Sequence, residues 1–115
     1  MAAVSAQSIN TPSAGALTTP SAITPAASDT IAEAQFGANG VVLRVITTGT
    51  ATNLTVTDPG NTPLGNAGTA VSLTGTATGS RMLYIPRTAI SSSTGVATVA
   101  FSGALTGVTY ELYKV

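Results

Sequence analysis

Short runs in which apolar and hydroxyl-bearing residues alternate, each closed by a turn residue, recur through most of this chain. Leu54-Thr55-Val56-Thr57 and Ala70-Val71-Ser72-Leu73-Thr74 alternate strictly, which sends every second side chain to one face of a strand. Val41-Val42-Leu43-Arg44-Val45-Ile46 follows Asn39-Gly40, a tight-turn dipeptide. Asp58-Pro59-Gly60-Asn61 reads as a turn with proline in second place. Arg81-Met82-Leu83-Tyr84-Ile85 stops at Pro86, a residue that fits badly in a central ladder. The runs 95–101 and 108–113 complete six strands, and Thr30-Ile31 offers a seventh. This rhythm predicts an all-β chain, a β-sandwich of jelly-roll or immunoglobulin-like topology.

One stretch reads two ways. From Asp29 to Phe36 the residues Ala32, Glu33, Ala34 and Gln35 favour helix, and Ser28 or Asp29 would cap it. About two turns fit before Gly37, too few to stand without packing. A short strand and a short helix both remain open there.

Residues 1–28 differ from the rest. Thr11-Pro12-Ser13-Ala14 recurs as Thr19-Pro20-Ser21-Ala22, with Thr24-Pro25-Ala26-Ala27 as an echo, and no charge precedes Asp29. Proline fixes φ and pushes its predecessor to extended geometry, so this segment reads as an extended arm. The domain boundary falls there: an arm over 1–28 and a β-sandwich over 29–115. Ile9, Leu17 and Ile23 stand as isolated apolar anchors on an arm that orders against a neighbouring subunit. A solvated tail is the plain alternative.

Composition narrows the chemistry. The chain has no histidine and no cysteine, and it carries four basic and four acidic residues. Zinc therefore lacks its usual ligands, and general acid–base catalysis lacks its usual group. Ser91-Ser92-Ser93 has no base near it in sequence and reads as a loop closed by Thr94-Gly95. Gly37-Ala38-Asn39-Gly40 has no lysine after it, so it is no phosphate cradle. We assign no catalytic, cofactor-binding or metal-binding residue, and no small-molecule substrate. No basic stripe exists to neutralise phosphates or an anionic bilayer, so neither nucleic acid nor membrane is expected as a partner. Met1-Ala2-Ala3-Val4-Ser5 lacks a charged n-region, and no run of 18 apolar residues occurs, so neither a leader nor a membrane span is expected.

What remains suits assembly. Arg44, Arg81 and Arg87 sit in or beside apolar strand runs, either guarding an edge or reaching an acidic neighbour subunit. Tyr110 and Tyr113 differ by an odd step, so one faces the core while Tyr113 lies at a surface, where tyrosine is favoured in contacts.

Several phrases together have a family likeness: Asp29-Thr30-Ile31, then Gly40-Val41-Val42-Leu43-Arg44-Val45, then Thr55-Val56-Thr57-Asp58-Pro59-Gly60. With Tyr84-Ile85-Pro86 and the run 95–103, most of 29–115 resembles the small capsid decoration proteins of tailed bacteriophages, also called cement or minor capsid proteins. The resemblance implies a structural, non-enzymatic virion protein, made in the host cytoplasm. It would sit on the capsid exterior, often as a homotrimer, and bridge major capsid protein subunits to reinforce the shell. A fibre, pilus or surface-layer subunit that assembles through its N-terminal arm is the alternative.

Overall fold

The computed structural model describes residues 2–60, 64, 71–74, 77–103 and 105–115. Met1, Asn61 and Ala70, which enter runs discussed above, lie outside the described residues. The strands are β1 (Ala2–Val4), β2 (Gln7–Ser8), β3 (Ser28–Ala32), β4 (Val41–Thr48), β5 (Asn53–Val56), β6 (Val71–Thr74), β7 (Thr78–Ile85), β8 (Val96–Ser102) and β9 (Val108–Lys114). All six runs expected from alternation form strands, and Thr30-Ile31 lies within β3. Short 3-10 turns occur at Pro12–Ala14, Glu33–Gln35 and Arg87–Ala89.

Two mixed sheets pack together, an arrangement compatible with a β-sandwich. The first runs β1-β3-β8-β5-β6 and the second β2-β9-β4-β7. In each sheet the N-terminal strand is the parallel member: β1 lies parallel to β3, and β2 parallel to β9. The other pairings are antiparallel.

Alternation explains the core. On β4, Val41, Leu43, Val45 and Thr47 are buried, in register with Leu112 and Tyr110 on β9 and Ile85 on β7. The first sheet contributes Ile31, Leu54, Ala97, Val99 and Phe101 from its inward positions. Each fully buried valine, leucine or isoleucine stabilises the fold by about 1.5–3 kcal/mol. Aromatics are scarce, and a contact of two rings joins the sheets: Phe101 and Tyr110 lie 5.1 Å apart, centroid to centroid.

The ambiguous stretch divides. Ser28–Ala32 is strand because it finds ladder partners on both sides, β1 and β8, and buries Ile31 opposite Ala97. Only Glu33–Gln35 coils, as one 3-10 turn, with the Glu33 amide donating to Gly95 O at 3.1 Å. The tight turn before β4 has Ala38 and Asn39 at its centre, because Gly37 and Gly40 exchange both backbone bonds. Gly40 closes it at φ +116°, and an added Cβ would lie 2.4 Å from Ile85 O, so only glycine fits.

A polar tie crosses the core. The Tyr110 hydroxyl on β9 donates to Asp29 Oδ2 on β3 at 2.6 Å, with both residues fully buried. The Ala26 amide donates to the same oxygen at 3.3 Å, while Oδ1 has no partner among the described residues. Burial first, then the bond to Asp29 and its charge, hold the Tyr110 phenol far above its ordinary range. Its contribution to stability is therefore complete below the unfolded tyrosine value, about 10, and is lost as pH rises beyond it.

Two outcomes follow. Tyr110→Phe leaves a buried carboxylate without its hydroxyl donor and should cost about 2–3 kcal/mol, read as a lower urea midpoint at unchanged slope. Alkaline titration should show the Tyr110 phenolate absorbing only together with loss of near-ultraviolet dichroism above about pH 10; phenolate absorption from all three tyrosines with the fold intact would contradict this tie.

Candidate interaction surface

The outer face of the four-stranded sheet carries the side chains that point away from the core. Register aligns Tyr84, Val42 and Tyr113 in one row, with Gln7 beyond, and Met82, Arg44 and Glu111 in the next. Met82 is 67% exposed and Tyr84 52%. Val42, Arg44 and Tyr113 are half-buried. The Tyr84 hydroxyl donates to Asn39 O, which pins the ring at the end of β7.

Charge in this face is neutralised internally. Arg44 Nη1 donates to Glu111 Oε1 at 3.1 Å, directly across the ladder, and the Tyr113 hydroxyl donates to the same oxygen at 2.8 Å. Glu111 is buried beneath these two partners. The Tyr113 phenol is pushed up by burial, then by the bond to Glu111 and its charge, with Arg44 opposing. The result is a nearly neutral surface of tyrosine, methionine and arginine, the side chains enriched in protein contacts.

Among the described strands β7 forms one edge of this sheet, eight residues long and exposed over most of its length. Arg81 sits on it, exposed, in register with Val45, and Nη1 donates to the neighbouring Ser80 O at 3.4 Å. Arg87 lies apart from Arg81, because Pro86 ends the strand and the next residues coil. Its guanidinium is a staple: Nη2 meets Glu33 Oε1 at 3.1 Å and Nη1 donates to Gly37 O at 2.9 Å.

The three arm anchors do not converge. Ile23 is half-buried and exchanges both backbone bonds with Tyr110, at 2.7 and 3.0 Å. Between Gln7 and Ile23 the chain leaves the β9 edge and returns to it. The excursion is held by its own side chains. Gln7 Oε1 accepts from the Ser21 amide and Nε2 donates to Thr19 O, both at 2.8 Å. The Asn10 amide donates to Thr18 Oγ1, and Asn10 Nδ2 to Ala16 O at 3.4 Å. Ile9 and Leu17 project from this loop, Leu17 at 93% exposure.

Beside the opposite edge lies a cleft of about 310 Å³, formed where the end of β5 faces β7 and the turn after it. Val56, Pro59, Leu83, Ile85, Pro86 and Ala89 line it. Asp58 is the charged residue of its lining, and its Oδ1 is engaged by the Gly60 amide at 2.8 Å.

Sequence reasoning missed Met82, Tyr84 and Glu111 as members of this surface. A signal for the first two existed: Leu83 and Ile85 already supply the inward positions of β7, so the large side chains between them must face out. Among the described residues no group of three His, Cys, Asp or Glu side chains is placed to hold a metal ion. No helix there is long and apolar enough to cross a membrane. No protein-family model matches this chain, and neither the curated proteins nor the solved structures contain a match to it.

Arg44→Ala strands a buried carboxylate on one remaining donor and should cost about 1–2 kcal/mol in chemical denaturation. Arg44→Met combined with Glu111→Leu should recover most of that loss, since an apolar pair needs no desolvation of charge.

Proposed function

We propose that this chain is a structural virion protein that decorates and reinforces an icosahedral phage capsid by bridging major capsid subunits. The observation that carries the reading is the neutral outer face of the four-stranded sheet, with Met82 and Tyr84 exposed beside Val42 and Tyr113. A contact made by such a face draws on apolar area, and its strength depends little on salt. Many weakly bound copies on a repeating shell add by avidity. The uncharged segment 1–28 carries two more exposed apolar side chains, Ile9 and Leu17, for contacts within the assembly. The resemblance stated above points the same way, to a homotrimer on the capsid exterior with the major capsid protein as partner. Chemistry plays no part in the role.

Of the two sandwich topologies, the immunoglobulin-like one is our reading. The connections β3 to β4 and β8 to β9 both pass from the first sheet to the second, and β3 pairs with β8 while β4 pairs with β9. Strands B, C, E and F of an immunoglobulin domain interlock in this manner. The edges depart from that pattern, because β1 joins β3 in parallel.

The edge position of β7, whose one ladder partner among the described residues is β4, favours one other assignment, a fibre, pilus or surface-layer subunit, since a sheet edge can accept a strand from the next copy. Polymerisation of the purified chain without any shell would select it.

The test of the main reading is occupancy. Met82→Glu changes an exposed side chain and leaves the core intact, so the variant should fold yet lose about tenfold or more in binding to purified tailed-phage capsids. Undiminished occupancy would remove this face from the contact, and failure of the wild-type chain to bind any such capsid would end the proposal.

A further inference from the structure

The loop between residues 7 and 21 and the cleft beside β7 are a matched pair that no single copy can bring together. The loop leaves and rejoins the edge of β9, and the cleft adjoins β7, with β4 lying between those two strands. They occupy opposite margins of one sheet.

We infer that the two features join neighbouring copies head to tail, with Leu17 of one chain seated in the apolar cleft of the next. This rests on the reading of the chain as an assembling subunit, and it names the contact between its copies.

Three observations support it. First, the loop is organised before any contact. Gln7 ties Thr19 and Ser21, Asn10 ties Thr18 and Ala16, and Gly15 closes the 3-10 turn at φ +75°. A compact loop fixed by its own polar groups is a common carrier of function, and preorganisation lowers the entropy lost on binding. Yet this one holds Leu17 at 93% exposure and Ile9 at 58%, away from the core.

Second, size and charge agree. A cavity of roughly 150 Å³ admits a benzene-sized group, and the cleft measures about 310 Å³, so a leucine side chain enters freely. Residues 7–21 contain no charged side chain. The carboxylate of Asp58 at the cleft keeps its Gly60 donor, so seating the loop strands no charge.

Third, the contact has room to grow. A stable interface buries about 800 Å² on each partner, more than one leucine supplies. Tyr84 lines the cleft and Met82 lies two residues from it on the same outer face, so the flanks of the loop meet further apolar surface. Unlike surfaces joined in this way are heterologous; copies so linked form a ring where the rotation between them closes, and an open filament where it does not.

The absence of cysteine makes the test direct. Leu17→Cys and Thr88→Cys, each at an exposed site, are prepared separately, mixed and oxidised mildly. The mixture should give a disulfide-linked pair at least tenfold faster than Leu17→Cys mixed with Thr106→Cys, an exposed site on another turn. In parallel, Leu17→Asp should raise the concentration at which copies associate, read by sedimentation, about tenfold or more, with an unchanged far-ultraviolet spectrum. Equal crosslinking rates for the two mixtures, or association unaffected by Leu17→Asp, would overturn the contact. The capsid assay separates the two proposals: equal rates with capsid binding retained sink the contact alone. Rapid crosslinking with no capsid binding sinks the shell reading and leaves the contact standing.

Discussion

Tyr110 is the residue on which the two sheets depend. Its ring packs against Phe101 from the opposite sheet, its hydroxyl reaches Asp29 on β3, and its backbone exchanges both bonds with Ile23. A chain with 4% aromatic residues has few side chains long enough to span the gap between sheets. A buried hydrogen bond to a carboxylate gains strength from the low dielectric around it, and the same surroundings penalise any arrangement that breaks it. Because Asp29 lies on a strand flanked by β1 and β8, this one bond fixes how the first sheet sits over the second.

The edges follow from that core. β1 and β2 cover the outer sides of β3 and β9 with only three and two residues, enough to satisfy part of each ladder. Val4 is the buried apolar residue of β1. Among the described strands none pairs with the outer side of β7, although it is among the longest. Long open edges invite pairing with other chains, and native proteins restrain them with charge and proline. Here Arg81 lies within the strand and Pro86 ends it, while the loop and the apolar cleft stand on opposite margins of the same sheet. Met82 and Tyr84 thus stand exposed on the outer face of one sheet, and among the described residues two charged pairs, Arg44–Glu111 and Arg87–Glu33, are satisfied within the chain.

Much of the strand pattern was legible from residue order. A period of two, ended by Asp58-Pro59-Gly60 or by Pro86, is a local property, so β4, β5, β7, β8 and β9 could be read directly. The opposite facing of Tyr110 and Tyr113 came from the same parity. β1 and β2 were not legible: Ala2–Val4 and Gln7–Ser8 are too short to show alternation, and they are strands only because β3 and β9 offer them ladders. The stretch after Ser28 was undecided for a related reason, since its helix-favouring residues are outweighed by ladder bonds from both sides.

By itself, then, the order of residues determined strand content, the facing of each side chain along a strand, and the scarcity of groups able to move protons or bind metal. Only the tertiary structure decided which polar groups would be buried and with whom. Asp29 and Tyr110 stand 81 residues apart, and Arg44 and Glu111 stand 67 apart. Neither separation carries any local signal, because such pairs are selected by the register between distant strands and by the cost of leaving a buried charge alone. The same holds for the cleft, whose walls come from β5 and β7 in different sheets, and for the loop that faces away from it.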